Sequence, residues 1–324
     1  IAMWNGASWN EVGGGLNLFG NVLKVFNGDL IVGGWFSAVG ETYAPYIARW
    51  DGTQWHSMNI GMTGPVYALE EFEGELYAAG SFQYAGIEEC NGIARWDGFK
   101  WNPAGTGIAG TNSMISDLTL YNGELYAGGS FITMNGVDCY NIAKYNGAEW
   151  SAVGTGAKGS DCYTSQGFVS DMKVCGGELY AVGMFTKMNE IPANKFAKLN
   201  SSGWCGIEYG IDMRPRSIEL YDGGLIINGD FYSASGVKYN NIVKYTPKSN
   251  LTGTGNLNNI PGSFRLWQNY PNPFNPETKI KYSIPANTGG EKVSVKLTVY
   301  DISGREAAVL VDQVQQTGEY EVPF

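Results

Sequence analysis

The residues able to do chemistry are few in this chain, and they do not converge. His56 is the single histidine. It follows Trp55 at a place where the related segments hold Asn10, Asn102, Ser151 and Cys205. A turn or surface residue is therefore the stronger reading, since a catalytic base also needs a nucleophile and an orienting group within reach. Glu70, Glu71, Glu73 and Glu75, and the pair Glu88 and Glu89, could frame a cation but lack the ligand spacing of a calcium loop. Solvated strand edges and turns account for them better. Cys90, Cys139, Cys162, Cys175 and Cys205 are odd in number and show no C-x-x-C spacing, so zinc is unsupported and at least one thiol lacks an intrachain partner. The glycine pairs sit in strand-like segments with no P-loop among them, so phosphate cradles are not indicated. No catalytic residue, metal or cofactor is assigned.

Aromatic residues offer more. Tyr43, Tyr46, Tyr84, Tyr140, Tyr232 and Tyr239 fall in loops between repeated motifs, beside Glu41, Glu88, Glu89 and Asp138. Aromatic faces near carboxylates hold sugars, peptides or cations. These six tyrosines are the candidate ligand-binding residues, for a glycan or a protein; the competing reading packs the rings between structural units.

The elements that position them come from a repeat. The stretches "NGDLIVGGWF", "EGELYAAGSF", "NGELYAGGSF", "GGELYAVGMF" and "DGGLIINGDF" share a leucine, a glycine four residues on and a phenylalanine two beyond. Even offsets put the three on one strand face, with glycine admitting a neighbouring backbone. A glycine turn precedes each copy and an apolar stretch precedes the turn, which predicts a hairpin. A second motif alternates with the first: "IAMWNGASW", "IARWDGTQW", "IARWDGFKW", "IAKYNGAEW", then the weaker "FAKLNSSGW" and "IVKYTPKSN". Its Asn-Gly and Asp-Gly pairs predict two-residue type I′ turns. Successive leucines, Leu30, Leu76, Leu125, Leu179 and Leu225, lie 46, 49, 54 and 46 residues apart. Four strands in such a period make one blade of a β-propeller. Two strands from Ile1 to Val12, sixteen from four full repeats and three from the last suit five blades, with six the alternative. Closure would pair the strand around Trp9 with the strand ending at Tyr245. On this alignment Cys90 and Cys139 are equivalent loop residues, and Cys139 shares a blade end with Cys162, leaving a bridge and unpaired small residues as equal alternatives.

Composition agrees with an all-β chain: 46 glycines, 10 tryptophans and 20 tyrosines in 324 residues. The acidity lies in the repeats, with net charge −9 over residues 1–250 against −1 over 251–324, so a nucleic-acid partner is not indicated. Nothing reads as a membrane-spanning segment or a signal peptide. Ile1 falls inside a repeat motif, as expected if a leader has been removed or the chain is a piece of something longer.

Residues 250–262 are polar and glycine-rich, a linker. The divisions expected are therefore 1–249 for the propeller, 250–262 for the linker and 263–324 for a small domain. In the last, Ile280, Tyr282 and Ile284 alternate on one face, as do Val293, Val295, Leu297 and Val299, which predicts a small Ig-like β-sandwich. Before them "YPNPFNP" is a stiff lead-in with Phe274 as its anchor.

Two resemblances follow from these motifs. The repeats over residues 1–250 resemble bacterial extracellular propeller repeats of the pattern "LYxGGxF … NIAxWDGxxWxxLGxG", which implies architecture but no reaction. The tail, "QNYPNPFNPETKIKYSIP" with "VKLTVYDISGRE" and "TGEYEVPF", resembles the type A C-terminal sorting domain of the type IX secretion system. It departs from that pattern by stopping at Phe324, where such domains usually run on through another strand and a basic terminus. The resemblance implies export to the surface or surroundings of a Gram-negative bacterium, with the type IX machinery as partner. The expected function is a secreted or cell-surface binding or adhesion module. The alternatives are an extracellular hydrolase or lyase acting on polymers, or a structural subunit of an extracellular layer or appendage. Because each region carries its own apolar pattern, cleavage near Gly255 is expected to leave the repeat region with its cooperative thermal transition, measured by circular dichroism. Loss of that transition on cleavage would show that the tail is part of the same fold.

Overall fold

The computed structural model describes residues 1–110, 112–159, 167–207, 210–247, 265–266, 278–284, 293–300, 306–316 and 318–324. The linker, the "YPNPFNP" segment and Cys162 lie outside them. The chain is all-β, with no helix among the described residues, and it divides into two compact units, Ile1–Pro247 and Lys248–Phe324. None of its described elements is a helix long and apolar enough to cross a membrane.

The first unit opens with a hairpin, Ala2–Trp4 and Trp9–Glu11, followed by five antiparallel sheets. The first sheet runs Gly20–Phe26, Asp29–Gly34, Ile47–Trp50 and Trp55–Ser57. The second is Val66–Phe72, Glu75–Gly80, Ile93–Trp96 and Trp101–Pro103. The third is Met114–Tyr121, Glu124–Ser130, Ile142–Tyr145 and Trp150–Ala152. The fourth is Phe168–Cys175, Glu178–Met184, Phe196–Asn200 and Gly203–Gly206. The fifth has three strands, Arg214–Tyr221, Gly224–Asp230 and Ile242–Tyr245. In every sheet the strands lie side by side in chain order.

Two expectations need correction. The Trp9 strand does not complete the fifth sheet: it pairs with its neighbour, Trp4 opposite Trp9, and Ile242–Tyr245 has no outer partner among the described residues. Closing a short hairpin costs far less chain entropy than joining the two ends of the unit. The turns of the second motif are not two-residue type I′ turns either. Trp4 faces Trp9, Trp50 faces Trp55 and Trp96 faces Trp101, leaving four residues in each loop. There the side chains of Asn5, Asp51, Asp97 and Asn146 each accept two backbone N–H bonds, from the residues two and three places on. The carboxylate or amide thus supplies the turn. Left-handed residue pairs occur instead at the first hairpins, at Asn27-Gly28, Glu73-Gly74, Asn122-Gly123, Gly176-Gly177 and Asp222-Gly223.

The repeated glycine does what its spacing predicts. A β-carbon on Gly34, Gly80, Gly129, Gly183 or Gly229 would lie 2.2, 2.0, 2.1, 2.1 and 2.2 Å from the carbonyl oxygens of Phe19, Pro65, Met114, Phe168 and Arg214. Opposite each glycine the first strand carries a bulge, with Asn21, Tyr67, Ser116, Ser170 and Arg216 as the extra residue. A bulge bends and twists its strand, and the missing side chain lets the bent strand approach.

Successive sheets pack face to face. Leu76, Ala78 and Phe82 look back to the first sheet, with Ile31 and Ile47, while Tyr77, Ala79 and Ile93 look forward to the third, with Leu125 and Phe131. The pattern continues between the third and fourth sheets and between the fourth and fifth. Burial on both faces explains why these strands read as nearly continuous apolar runs. The fourth-strand tryptophan ties each of the first three sheets backwards: the indole N–H groups of Trp55, Trp101 and Trp150 donate to the carbonyls of Val12, Met58 and Ala104 at 3.1, 3.2 and 2.8 Å. Ion pairs link second and third strands at a spacing of twenty residues, as in Arg95–Glu75 at 2.7 Å and Lys144–Glu124 at 2.8 Å. Half-exposed, each contributes at most about 1 kcal/mol.

In the second unit Arg265–Leu266, Lys279–Ile284 and Gly318–Pro323 form one sheet, and Val293–Tyr300 pairs with Glu306–Gln315 in another. Tyr282, Ile284 and Val311 form their shared apolar cluster with Val295 and Leu297. The strand Glu306–Gln315 has no counterpart among the strands read from the sequence, because its middle, "AAVLVDQV", shows no strict alternation.

Gly129→Ala is expected to lower the stability of the first unit by ~3 kcal/mol, since the added methyl must displace backbone rather than a side chain. Urea unfolding followed by tryptophan fluorescence measures it, and a change under ~0.5 kcal/mol would show that the close approach is not constraining.

Candidate functional site

The loops that carry the candidate tyrosines are themselves ordered. Each contains a miniature hairpin: Ala38–Val39 with Thr42–Tyr43, Tyr84–Ala85 with Glu88–Glu89, Thr133–Met134 with Val137–Asp138, Lys187–Met188 with Ile191–Pro192, and Ser233–Ala234 with Val237–Lys238. A buried residue roots each one, Val39, Ala85, Met134, Met188 and Ala234. The signal was in the sequence at Asn135-Gly136, Asn189-Glu190 and Ser235-Gly236, all left-handed as a tight hairpin turn requires. The segment leading into each sheet fastens the hairpin beside it. Thr63 Oγ1 accepts from the N–H groups of Gln83 and Tyr84 at 3.1 and 2.9 Å, and the Asp212 carboxylate accepts from those of Tyr232 and Ser233 at 3.1 and 2.9 Å. All five lie between second and third strands, at the end of the sheets away from the Asn-Gly turns.

The six tyrosines divide. Tyr43, Tyr84, Tyr232 and Tyr239 are exposed on these hairpins and their flanks. Tyr46 and Tyr140 are half-buried with left-handed backbones, and Tyr46 packs on the core between the first and second sheets. Tyr140 lies under the Lys158 ammonium, 4.5 Å from the ring centre. Lys158 also donates to Glu190 at 2.9 Å, which holds that exposed carboxyl below its usual range. No ring contact among the described residues joins two of the six. They are spread over the loops of four sheets, the first, second, third and fifth. Tyr239 borders a cleft of about 120 Å³ with Phe196, Val237 and Tyr245. A larger hollow of about 510 Å³, lined by Tyr121, Glu124, Lys144, Glu178 and Asn200, opens at the turn end instead.

His56 braces a turn: its Nε2 lies 2.6 Å from Asp51 Oδ2, and Asn102 donates to Asp97 Oδ2 at 2.8 Å from the equivalent place. The His56 contact is the largest of the hydrogen bonds that hold the Asp51 carboxyl well below the carboxylate range. Cys90, Cys139, Cys175 and Cys205 are free thiols. Burial pushes the Cys90 thiol up to about 11, and Cys90 and Cys139 do sit at equivalent positions, rooted beneath successive miniature hairpins. No group of three or more metal-ligating side chains occurs among the described residues.

Sequence reading missed one titratable pair. Asp117 and Asp171 follow the bulges of the third and fourth sheets, and both reach across to the next first strand. Asp117 accepts the Met172 N–H at 3.0 Å and the Thr119 hydroxyl at 2.9 Å; Asp171 accepts the Ile218 N–H at 2.8 Å. Ser116 donates beside them to the Val169 carbonyl at 2.6 Å. Burial, reinforced by the charge of Asp171, pushes Asp117 well above its ordinary range, and burial raises Asp171 to about 6 against the backbone donors that would lower it. With their oxygens committed to backbone N–H groups, the pair stitches three sheets together. Nothing in the repeat flags it, because the equivalent residues are Val22, Ala68 and Ser217.

No protein-family model matches the sequence, and no curated protein matches it. Among solved structures, the chain is similar to a crystal structure of the computationally designed Ika8 protein, at 9% identity and a TM-score of 0.36, over 92% of this chain and 88% of that one. So loose a likeness carries no argument about fold or function.

A carboxyl raised in the folded state binds its proton more tightly there than in the unfolded chain. The contribution of Asp171 to stability is therefore greatest below the ordinary value of 3.8 and is lost as pH rises through about 6. Asp171→Asn, which keeps an oxygen for the Ile218 N–H, is expected to remove that decline, about 3 kcal/mol. Unfolding free energies of both proteins at intervals between acid and neutral pH test this, and parallel curves would refute it.

Proposed function

We propose that the five sheets are blades of a β-propeller, six if the sheet begun by the N-terminal hairpin is counted, and that the second unit is a small Ig-like sandwich serving as a type IX sorting domain. On this reading the protein is a secreted or cell-surface binding or adhesion module of a Gram-negative bacterium. The observation that carries it is the contrast between constant and variable positions. Leucine, glycine and phenylalanine recur at the packing positions of all five copies, whereas the miniature hairpins present Tyr43, Glu89, Asp138, Pro192 and Lys238 at one equivalent place. A repeated scaffold acquires a distinct site where its copies differ, since loops change without dismantling the core. The tail supports the export half of the reading through "QNYPNPFNPETKIKYSIP" and "VKLTVYDISGRE".

The ligand class this surface favours is a glycan or peptide held by tyrosine faces beside carboxylates such as Glu41, Glu88 and Glu89. Glycan and peptide arrays probed with the full chain and with a Tyr43→Ser, Tyr84→Ser, Tyr232→Ser, Tyr239→Ser variant test it. The exposed tyrosines serve better than Tyr46 and Tyr140, whose loss would disturb packing. Binding is expected to fall at least ~10-fold, about 1.4 kcal/mol, with thermal unfolding unchanged. Retention of binding by the variant, together with its loss on altering the Asp51-Gly52 and Asn122-Gly123 turns, would move the site to the opposite end.

A further inference from the structure

One interface between consecutive sheets is built differently from its neighbours. The fourth residue of each third strand packs back on the preceding sheet. It is aromatic in the second, third and fifth sheets, as Trp96, Tyr145 and Tyr245, but it is Leu199 in the fourth. Where a tyrosine stands there it completes a cluster of three rings. Tyr145 lies 6.1 and 6.2 Å from the ring centres of Phe72 and Tyr77, and Tyr245 lies 5.9 and 5.0 Å from those of Tyr180 and Phe196. Between the third and fourth sheets Tyr121 and Tyr126 meet at 5.6 Å, and no third ring joins them among the described residues. The hollow of about 510 Å³ stands at that place. Between the second and third sheets the equivalent place is pinched by a turn: a β-carbon on Gly147 would lie 2.7 Å from the Glu73 carboxylate. The equivalents of those two residues, Ser201 and Asn122, line the hollow instead. Complete four-stranded sheets stand on both sides, so the opening belongs to the interior of the array.

The walls select a class of ligand. Glu124 accepts from Lys144 through both oxygens, at 3.0 and 2.8 Å, and Glu178 accepts from Lys198 through both, at 2.8 and 3.0 Å. Each carboxylate is thereby balanced, which leaves no surplus charge to attract an ion. Tyr180 donates to Glu178 at 2.8 Å, whereas its equivalent Tyr126, 4% exposed, has a hydroxyl with no hydrogen bond among the described residues. A hydroxyl so confined gains when a ligand supplies its partner. Tyr121 and Tyr126 form the apolar side of the hollow, while Glu124, Lys144, Glu178 and Asn200 offer acceptors and donors around it. A bare aromatic ring would displace water from these polar groups without replacing its hydrogen bonds. A six-membered ring edged with hydroxyls satisfies both kinds of wall, and the volume falls within the ~300–1,000 Å³ of small-molecule sites.

We infer that the hollow between the third and fourth sheets binds a neutral sugar, one pyranose unit taking the place of the ring that Leu199 lacks. The site lies at the turn end of the sheets, away from the miniature hairpins. It depends neither on the rim tyrosines nor on the export of the protein.

Saturation-transfer difference NMR of the full chain with a panel of neutral hexoses, pentoses and N-acetylhexosamines, and with p-cresol as an aromatic control, tests this. At least one sugar is expected to bind and p-cresol is not. Leu199→Tyr, which supplies the ring its sister sheets have, should weaken that sugar at least ~10-fold, and Tyr126→Phe, which removes only the unpartnered hydroxyl, roughly 3- to 10-fold. Thermal unfolding should not fall in either variant. The variant carrying Tyr43→Ser, Tyr84→Ser, Tyr232→Ser and Tyr239→Ser should hold the sugar as the intact chain does, which separates this site from the rim. No response from any sugar, a response from p-cresol alone, or a sugar held undiminished by both hollow variants overturns the proposal. Loss of the sugar in the rim variant with retention in the hollow variants assigns it to the rim and overturns it equally. If Leu199→Tyr does not fold, Tyr126→Phe decides the matter.

Discussion

The carbonyl oxygen that leads each first strand into its bulge comes so near the second strand that no β-carbon fits between them. Gly34, Gly80, Gly129, Gly183 and Gly229 all answer this one constraint, and their backbones are otherwise ordinary, without a left-handed φ. Much of the repeat depends on it. The bulge frees one residue from the ladder, and Asn21 and Ser116 use that freedom to donate to the Val66 and Val169 carbonyls of the next sheet. The same bulge carries Asp117 and Asp171 into reach of the neighbouring N–H groups.

Burial supplies most of the cohesion between sheets. The interfaces hold leucine, phenylalanine, tyrosine and tryptophan side chains at close to full burial, and a fully buried large apolar side chain contributes roughly 1.5–3 kcal/mol. Surface ion pairs such as Lys244–Asp222 add little by comparison. The hydrogen bonds between first strands act chiefly on geometry: they fix the offset of one sheet on the next, and a backbone N–H left without an acceptor there would cost more than its bond gains.

Much of the first unit was legible in the sequence. Packing face, glycine contact and the count of two, sixteen and three principal strands were all carried by local spacing, and the structure has that hairpin, those four complete sheets and that three-stranded last one. The miniature hairpins were legible in principle from Asn135-Gly136 and its relatives, but their strands of two residues are too short to display a period. The turns of the second motif were misread because Asp-Gly suits a type I′ turn as well as the wider loop that the Asp51 carboxylate closes. The candidate tyrosines lie between second and third strands, and whether a ring there is exposed, like Tyr43, or packed, like Tyr46, depends on the neighbouring sheet.

By itself, then, the sequence determined the unit: which residues form strands, which faces are apolar and where glycine must stand, since each follows from periods of two along a strand and from turns a few residues long. The tertiary structure decided what passes between units. It set Trp9 against Trp4 rather than against the last sheet and gave Asp117 and Asp171 their backbone partners on the next first strand. These depend on the distance and angle between sheets that are far apart along the chain, and no short-range pattern encodes that distance.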